Sequence, residues 1–208
     1  MVSQRVPGTN DPNHALFGRR VLLRSLTSAD FDEWCEVRRH NAEWLTKWEP
    51  ARLAAHPDVI EEPRSFASRC AARDRDRQLG NGASFGMFID GAFAGEMNLG
   101  SIQRGAYQNA YIGYWIDNRR AGLGYTPEAL VMAAQHAFDD LALHRIQISI
   151  IPRNKASHRV VEKLGIRSEG VSERYLEIDG TWEDHVRYAM TAEEWDERRS
   201  ELLAAWIG

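Results

Sequence analysis

Gly122 and Gly124 stand just ahead of a predicted helix, in the segment DNRRAGLGYTPEAL at residues 117–130. A strand, a glycine turn and a helix N-terminus together form an anion site, because unpaired backbone N–H groups and the helix dipole point at the ligand. The spacing excludes two common versions of that site. A dinucleotide fingerprint needs a third glycine where this chain has Pro127, and a phosphate loop needs a lysine where it has Tyr125. The turn is therefore expected to bind the phosphate of another kind of ligand.

The elements around this turn are predicted from hydrophobic periodicity. Two Asp-Gly pairs, at 90–91 and 179–180, lie between apolar runs and predict hairpins. Alternating isoleucines at 146, 148 and 150 predict another strand. Further predicted strands are 19–26 and 106–116, and the predicted helices are 27–45, 62–79, one from Pro127, 154–165 and 191–206. This order predicts the α/β (α+β) class, with a mixed, mostly antiparallel central sheet and helices on both faces.

Length and composition fit one globular domain. The chain has 208 residues, of which 43% are hydrophobic and 27% charged, which is enough for a sizeable core but not for two full domains. The first residues are polar and rich in Pro, Asn and Gly. We therefore expect a flexible arm at residues 1–17 and the folded domain at 18–208.

Charge and cysteine content exclude several classes of partner. The 26 basic and 30 acidic side chains are interspersed and give a net charge of −4, so we expect no direct nucleic-acid binding and no membrane binding. No apolar run is long enough for a membrane span or a signal peptide, which favours a cytoplasmic protein. Two cysteines and seven histidines without metal-site spacing predict no metal.

The segment RRAGLG at 119–124 resembles the R/Q-x-x-G-x-G/A pattern of the GCN5-related N-acetyltransferase (GNAT) superfamily. The resemblance implies a single-domain GNAT fold in which the loop amides bind the pyrophosphate of acetyl coenzyme A, a cosubstrate. The coenzyme-binding residues that it implies are Trp115, Ile116, Arg119, Arg120, Ala121, Gly122, Leu123, Gly124, Tyr125, Thr126, Asn154 and Ser157.

A second segment, PRNKASHRVVEKLGIRSEG at 152–170, resembles the strand, asparagine and helix of the same superfamily. The resemblance implies that Asn154 hydrogen-bonds the pantetheine arm. Many members carry a catalytic tyrosine where this chain has Val161, which removes the usual general acid. A serine at the position of Ser157 is the pattern of the RimJ/RimL branch, the N-terminal acetyltransferases of ribosomal proteins.

Two more segments resemble the RimJ-type members of that branch. They are NAEWLTKWEP at 41–50 and the hairpin RYLEIDGTWEDHVRYAMTAEEW at 174–195, so the resemblance runs from about residue 19 to residue 195. It implies transfer of acetyl to the α-amine of a protein N-terminus, with a small-subunit ribosomal protein as the target. It leaves open whether the chain is a monomer or a homodimer.

Direct acetyl transfer from a thioester to an amine needs a neutral amine, a stabilised oxyanion and a proton for the leaving thiolate, and no covalent enzyme intermediate. The resemblance places the backbone oxyanion donor near Trp115 or Ile116, and we assign Ser157 as the hydrogen-bond donor to the coenzyme sulfur. A carboxylate acting through water is a sufficient base for an α-amine. The candidate bases are Glu49, Glu96 and Glu177, and the candidate acceptor-binding residues are Trp48, Glu49, Glu96 and Tyr111, with Trp44 and Tyr114 as further aromatic candidates.

Two alternatives keep the fold and change the function. The first is acetylation of a small amine such as an antibiotic or polyamine, and the second is a coenzyme-binding module without catalysis, which Val161 makes credible. A deep acidic pocket would favour a polycationic small molecule, whereas an open groove would favour a peptide.

Overall fold

The structure, a computed structural model, describes residues 15–51 and 62–208. The strands are β1 (Ala15–Phe17), β2 (Val21–Arg24), β3 (Ala83–Ile89), β4 (Ala92–Gln103), β5 (Asn109–Ile116), β6 (Arg145–Ile150), β7 (Arg167–Ile178) and β8 (Thr181–Thr191). The helices are α1 (Phe31–His40), α2 (Ala42–Thr46), α3 (Pro63–Gln78), α4 (Tyr125–Gln135), α5 (Lys155–Lys163) and α6 (Ala192–Trp206).

The eight strands form one sheet in the order β1-β2-β3-β4-β5-β6-β8-β7. All neighbours are antiparallel except β5 and β6, which are parallel and are joined through α4, as parallel neighbours require a crossover. Their pairing covers only Asn109 to Tyr111 against Arg145 to Gln147. The rest of β6 pairs with β8 alone, so a gap opens between β5 and β6. Both Asp-Gly hairpins are confirmed.

Two apolar clusters lie on the two faces of the sheet. Along β2, Val21 and Leu23 belong to the larger cluster with α4, whereas Leu22 packs against the smaller cluster of α1 and α3. Alternation along β5 has the same result: Tyr114 packs with the α4 cluster and Trp115 with the α1 cluster. The predicted fold class, with helices on both faces of a mixed sheet, is confirmed.

The helix α4 is more buried than its predicted single stripe. Every residue from 126 to 134 is buried, because α4 lies between the sheet and α6. On that outer side, the indole of Trp195 in α6 stacks on Phe138, with ring centroids 5.6 Å apart. A helix that packs against other elements on two opposite sides has no polar face. Hydrophobic periodicity gave no sign that α6 would cover the outer side of α4.

The predicted helix 27–45 is interrupted at Asn41, between α1 and α2. The break has a tertiary cause, because the fully buried Asn41 side chain donates to Asp117 at the end of β5. Sequence pattern within the helix gives no sign of this long-range bond.

The predicted boundary between arm and domain moves to residue 15. Strand β1 pairs with β2, with Leu16 opposite Leu23, and so belongs to the folded domain. The turn after it is fixed by the buried carboxylate of Glu128, which accepts hydrogen bonds from the backbone N–H groups of Arg20 and Val21 at 2.5 and 3.0 Å. Residues 1–14, the rest of the predicted arm, lie outside the described residues.

Candidate active site

A continuous cleft follows the gap between β5 and β6. We divide it into three cavities: the loop cavity beside residues 120–127, the central cavity of about 290 Å³, and the strand cavity of about 180 Å³ between the diverging strands. The loop and central cavities share six residues: Trp44, Ala121, Gly122, Thr126, Ala156 and Val160. The central and strand cavities share Trp48, Tyr114, Asn154 and Ser157.

The glycine turn has the backbone geometry that an anion site requires. Gly122 and Gly124 have φ of 80° and 89°, in the left-handed region, and Gly124 is the N-cap of α4. The helix begins at Tyr125, two residues before its predicted start, so Pro127 is the third helical residue, where an N–H has no partner within the helix. The first amides of α4 are therefore available to a ligand at the loop cavity.

The two arginines of the turn are engaged by carboxylates. Arg119 Nε donates to Asp117 Oδ2 at 2.7 Å and its Nη atoms approach Glu36, and hydrogen bonds to Asp117 and then Glu36 raise its pKa above the usual range. Arg120 pairs with Asp90 at 3.4 Å and lines the loop cavity. Arg119 and the exposed Leu123 are not among the described residues that line the cleft. The other ten predicted coenzyme-binding residues are.

The start of α5 is held in a fixed position next to the gap. Asn154 caps the helix, and its Oδ1 accepts a hydrogen bond from Ser157 N at 3.2 Å. From the other side of the cleft, Tyr114 Oη donates to Ser157 O at 3.4 Å, and burial raises the pKa of Tyr114 above its usual range, so the phenol stays protonated. Val161, at the position of the usual tyrosine, is fully buried. The role of the Ser157 hydroxyl stays a prediction.

Trp48 and Glu49 form part of the opposite wall of the central cavity. Both carboxylate oxygens of Glu49 accept from Arg38 at 2.7 Å, and the Glu49 carbonyl accepts from Asp179 N in the β7–β8 turn at 3.0 Å. The Trp48 ring has Lys47 Nζ at 5.3 Å and the Arg153 guanidinium at 4.9 Å from its centroid. These contacts fix Trp48 and Glu49 in the cleft wall. Their role in binding the acceptor stays a prediction.

Glu96 lies in a buried ion cluster and not in the described cleft lining. Its carboxylate, 1% exposed, accepts from Trp34, Arg69 and Arg73 at 2.7 to 2.8 Å. Burial alone would raise its pKa, but Arg73 and Arg69 outweigh burial and lower the pKa to about 2. Glu96 is therefore not placed to contact an acceptor in the cleft as predicted, because both carboxylate oxygens accept hydrogen bonds from residues of α1 and α3.

Two further predicted residues lie outside the described lining of the cleft. Glu177 is exposed on β7, opposite Trp182 in the hairpin register. Tyr111 is half-buried at the point where β5 and β6 stop pairing, with the Arg187 guanidinium 5.7 Å from its ring centroid. Strand assignment alone does not show which residues of a hairpin face the cleft.

Sequence reasoning missed the bridge between the two walls. Asn41 Nδ2 donates to Asp117 Oδ1 at 3.0 Å, and Asn41 Oδ1 accepts from Asn118 N at 2.8 Å. Although burial would raise the pKa of Asp117, hydrogen bonds from Arg119 and Asn41 lower it. The signal was an Asp directly after a strand and before a turn, which is a capping pattern. Its partner, 76 residues away, carried no local signal.

Fold and cleft together define a class of protein. A sheet in which two parallel strands part beside a glycine turn and a helix N-terminus can hold an extended ligand with a phosphate at one end and its reactive end in the gap. That is the architecture of an acyltransferase that uses coenzyme A. Residues 20–167 match the family described as Acetyltransferase (GNAT) domain. The chain belongs to this family, which confirms the predicted fold, the acyltransferase class and acetyl coenzyme A as cosubstrate.

Relatives of known structure or name cover nearly the whole chain. RimJ of Mycobacterium smegmatis, solved in complex with CoA-disulfide, is 33% identical and has a TM-score of 0.83, with 94% of each chain covered. The [ribosomal protein uS5]-alanine N-acetyltransferase of Escherichia coli is 30% identical over 189 residues, 90% of this chain and 95% of that protein. The probable N-acetyltransferase YjcK of Bacillus subtilis is 31% identical over 82% of this chain and 93% of its own. The predicted RimJ/RimL resemblance is confirmed.

Residues 15–51 and 62–208 contain neither a membrane-spanning helix nor a cluster of metal ligands. Within those ranges, no helix combines the length and the apolar character needed to cross a bilayer. The same residues contain no group of three or more His, Cys, Asp or Glu side chains arranged to hold a metal ion.

Proposed function

We propose that this protein transfers acetyl from acetyl coenzyme A to the α-amine of a protein N-terminus, that of a small-subunit ribosomal protein. One observation carries the choice of acceptor class. Among the described residues, the central and strand cavities contain one carboxylate, Glu49, and Arg38 neutralises it. A polycationic antibiotic or polyamine needs several unpaired acids, whereas a single peptide amine beside backbone and aromatic groups does not. The name of the E. coli relative supports the ribosomal target.

The donor side of the reaction follows from the loop and the gap. The turn amides and the N-terminus of α4 bind the pyrophosphate, and the pantetheine arm extends along Asn154 toward Ser157. The thioester then lies between β5 and β6, where the two strands no longer bond each other. Ser157 donates a hydrogen bond to the coenzyme sulfur.

The register of β5 sharpens the assignment of the oxyanion donor. Asp117 N donates to Ala94 O on β4, so in this antiparallel pair the N–H groups two and four residues earlier, of Trp115 and Gly113, also point toward β4. The N–H groups of Tyr114 and Ile116 therefore point into the gap. Of the two predicted residues, we assign Ile116 as the donor and Trp115 as a wall of the cleft.

The test is mass analysis of peptide acetylation. A peptide that begins with the N-terminal residues of uS5, with an internal lysine, is incubated with enzyme and acetyl coenzyme A, and fragmentation locates the added acetyl. The matched control is the same peptide with its α-amine already blocked. We expect acetyl on the α-amine of the first peptide and none on the second. Acetylation only of lysine, or only of aminoglycosides and polyamines in parallel incubations, would overturn the proposal.

A further inference from the structure

His185 lies on the acceptor side of the gap. It is on β8, 2% exposed, and lines the strand cavity together with Ser149, Tyr114 and Ser157. Ser149 is opposite Arg187 in the register of β6 and β8, so His185 and Arg187 share a sheet face with Ser149. Ile148 and Ile150, on the other face, belong to the α4 cluster.

That placement puts the imidazole on the opposite side of the sheet from Asn154 and Ser157, the residues proposed to bind the pantetheine arm. Ser157 and Asn154 come from α5, which packs with the α4 cluster, whereas His185 shares the face of Trp115 and α1. The strand cavity contains residues from both faces and so passes through the gap. An amine that enters from the α1 face would meet the thioester with His185 beside it.

The tautomer of His185 is fixed by one hydrogen bond. Its Nδ1 lies 2.9 Å from the Glu183 carbonyl oxygen, which can only accept, so Nδ1 carries the hydrogen. Nε2 of the neutral ring then has a lone pair. The described residues give Nε2 no hydrogen-bond partner.

The other titratable groups that line the central and strand cavities already take part in hydrogen bonds within the protein. Both oxygens of Glu49 accept from Arg38, and Tyr114 is a protonated donor to Ser157. Outside the described lining, Glu96 is fully paired and Glu177 is exposed. Nε2 of His185, by contrast, has a lone pair next to the gap.

The groups that face His185 are held in pairs. The Tyr175 ring on β7 contacts the imidazole edge-on at 5.8 Å, and the Arg187 guanidinium stacks on Tyr175 at 4.4 Å while it donates to Gln147. On β8, Glu183 pairs with Arg153. Glu49 lines the adjoining central cavity, and its charge is paired with Arg38.

We propose that His185 is the general base that deprotonates the acceptor amine. This assignment rests on the proposed function. Nε2 takes one proton from the α-ammonium group, and the neutral nitrogen attacks the thioester carbonyl. The N–C bond forms and the C–S bond breaks, so coenzyme A leaves as a thiolate. The second proton on nitrogen balances that thiolate as the free thiol, with Ser157 hydrogen-bonded to the sulfur, and the imidazolium returns its proton to water.

The experiment compares His185→Asn with wild type on the peptide of the proposed assay. Asn keeps a donor for the Glu183 carbonyl but has no base at the Nε2 position. General-base loss is expected to lower kcat/KM about 100-fold at pH 7, and the deficit should shrink toward pH 9, because an α-amine with a pKa of about 8 then loses its proton to water. The dissociation constant of acetyl coenzyme A, measured by calorimetry, should be unchanged.

The matched control is His144→Asn, since His144 is exposed, pairs with Glu193 and lies outside the described cleft lining; it should react at the wild-type rate. If His185→Asn does not fold, His185→Gln is read by the same criteria. A variant that keeps its rate at pH 7, or loses it equally at all pH values together with coenzyme affinity, would overturn the assignment while the proposed function stands. A wild-type enzyme inactive on every N-terminal peptide would overturn both.

Discussion

The two walls of the cleft are built in different ways. The coenzyme wall consists of backbone: a glycine turn, the first amides of α4 and the capped start of α5. The acceptor wall consists of side chains held by an ion pair between distant segments, Arg38 with Glu49. Behind it lies the buried cluster in which Arg69 and Arg73 pair with Glu96. Backbone geometry follows from a few consecutive residues, whereas an ion pair between segments depends on the whole fold. The difference explains why the donor is easier to infer than the acceptor.

The largest expected effect is on the buried ion cluster around Glu96, behind the acceptor wall. Glu96→Gln keeps the shape of the side chain but leaves Arg69 and Arg73 without their counter-charge, which typically costs about 3–5 kcal/mol for a buried pair. Urea unfolding should show a loss of this order. The control is Glu173→Gln at an exposed position of β7, which should have the same free energy of unfolding as wild type.

The same residue predicts a pH dependence. The pKa of Glu96 is about 2 in the fold against an ordinary value of 4.5. Because this pKa is lowered, the ionised carboxylate contributes about 3 kcal/mol to the free energy of unfolding. That contribution is fully present above about pH 4.5 and is lost as the pH falls toward 2. Wild type should lose that stability across this range and Glu96→Gln should not. If the variant is stable and instead binds peptide weakly, Glu96 belongs to the acceptor site and the contrast between the walls fails.

Next in size is an effect on the coenzyme wall. Gly124→Val places a β-branched residue at φ of 89°, with its Cβ 3.2 Å from Arg20 Nη2, and strains the backbone by about 1–3 kcal/mol. Displacement of the turn amides should weaken acetyl coenzyme A binding by about tenfold or more, measured by calorimetry.

Gly100→Ala on β4, where the added Cβ meets nothing within 4 Å, is the control for that variant and should bind normally. Wild-type affinity of a folded Gly124→Val would mean that side chains such as Arg120 carry the phosphate, and that the coenzyme wall is not a backbone site.

The features that the sequence predicted are those set by neighbouring residues, whereas the features that it missed depend on contacts between distant segments. The turn at Gly122 and Gly124, the short helix predicted at 154–165 and both hairpins depend on neighbours within a few residues, and all were predicted. Asn41 was not, because its bond to Asp117 spans 76 residues. Glu96 and Glu177 were correctly placed on strands, but the faces that they use are set by α1, α3 and the hairpin register, which no local pattern encodes.

A smaller effect is expected where the two walls meet. Asn41→Ala leaves Asp117 and Asn118 N each without one hydrogen bond in a buried setting, at a cost of about 1–2 kcal/mol. Because Asn41 joins the α1–α2 break to the coenzyme turn, the variant should raise both the acetyl coenzyme A dissociation constant and the peptide KM. Thr46→Ala, whose exposed hydroxyl donates only to Ala42 O within α2, is the control for both readings. A change in only one constant would show that the two walls are independent.

The smallest effect is expected at Glu177, which the sequence suggested as a base. Its side chain is exposed on β7 and lies outside the described lining of the cleft, so Glu177→Gln should change stability by less than about 0.5 kcal/mol. Peptide kcat/KM should stay within about twofold of wild type, as for Glu173→Gln on the same strand, because a base must reach the proton that it removes. A folded Glu177→Gln with a large loss of kcat and normal coenzyme binding would mean that the hairpin turn closes over a bound peptide. His185 would then not be the base, and the acceptor wall would be completed only when the peptide binds.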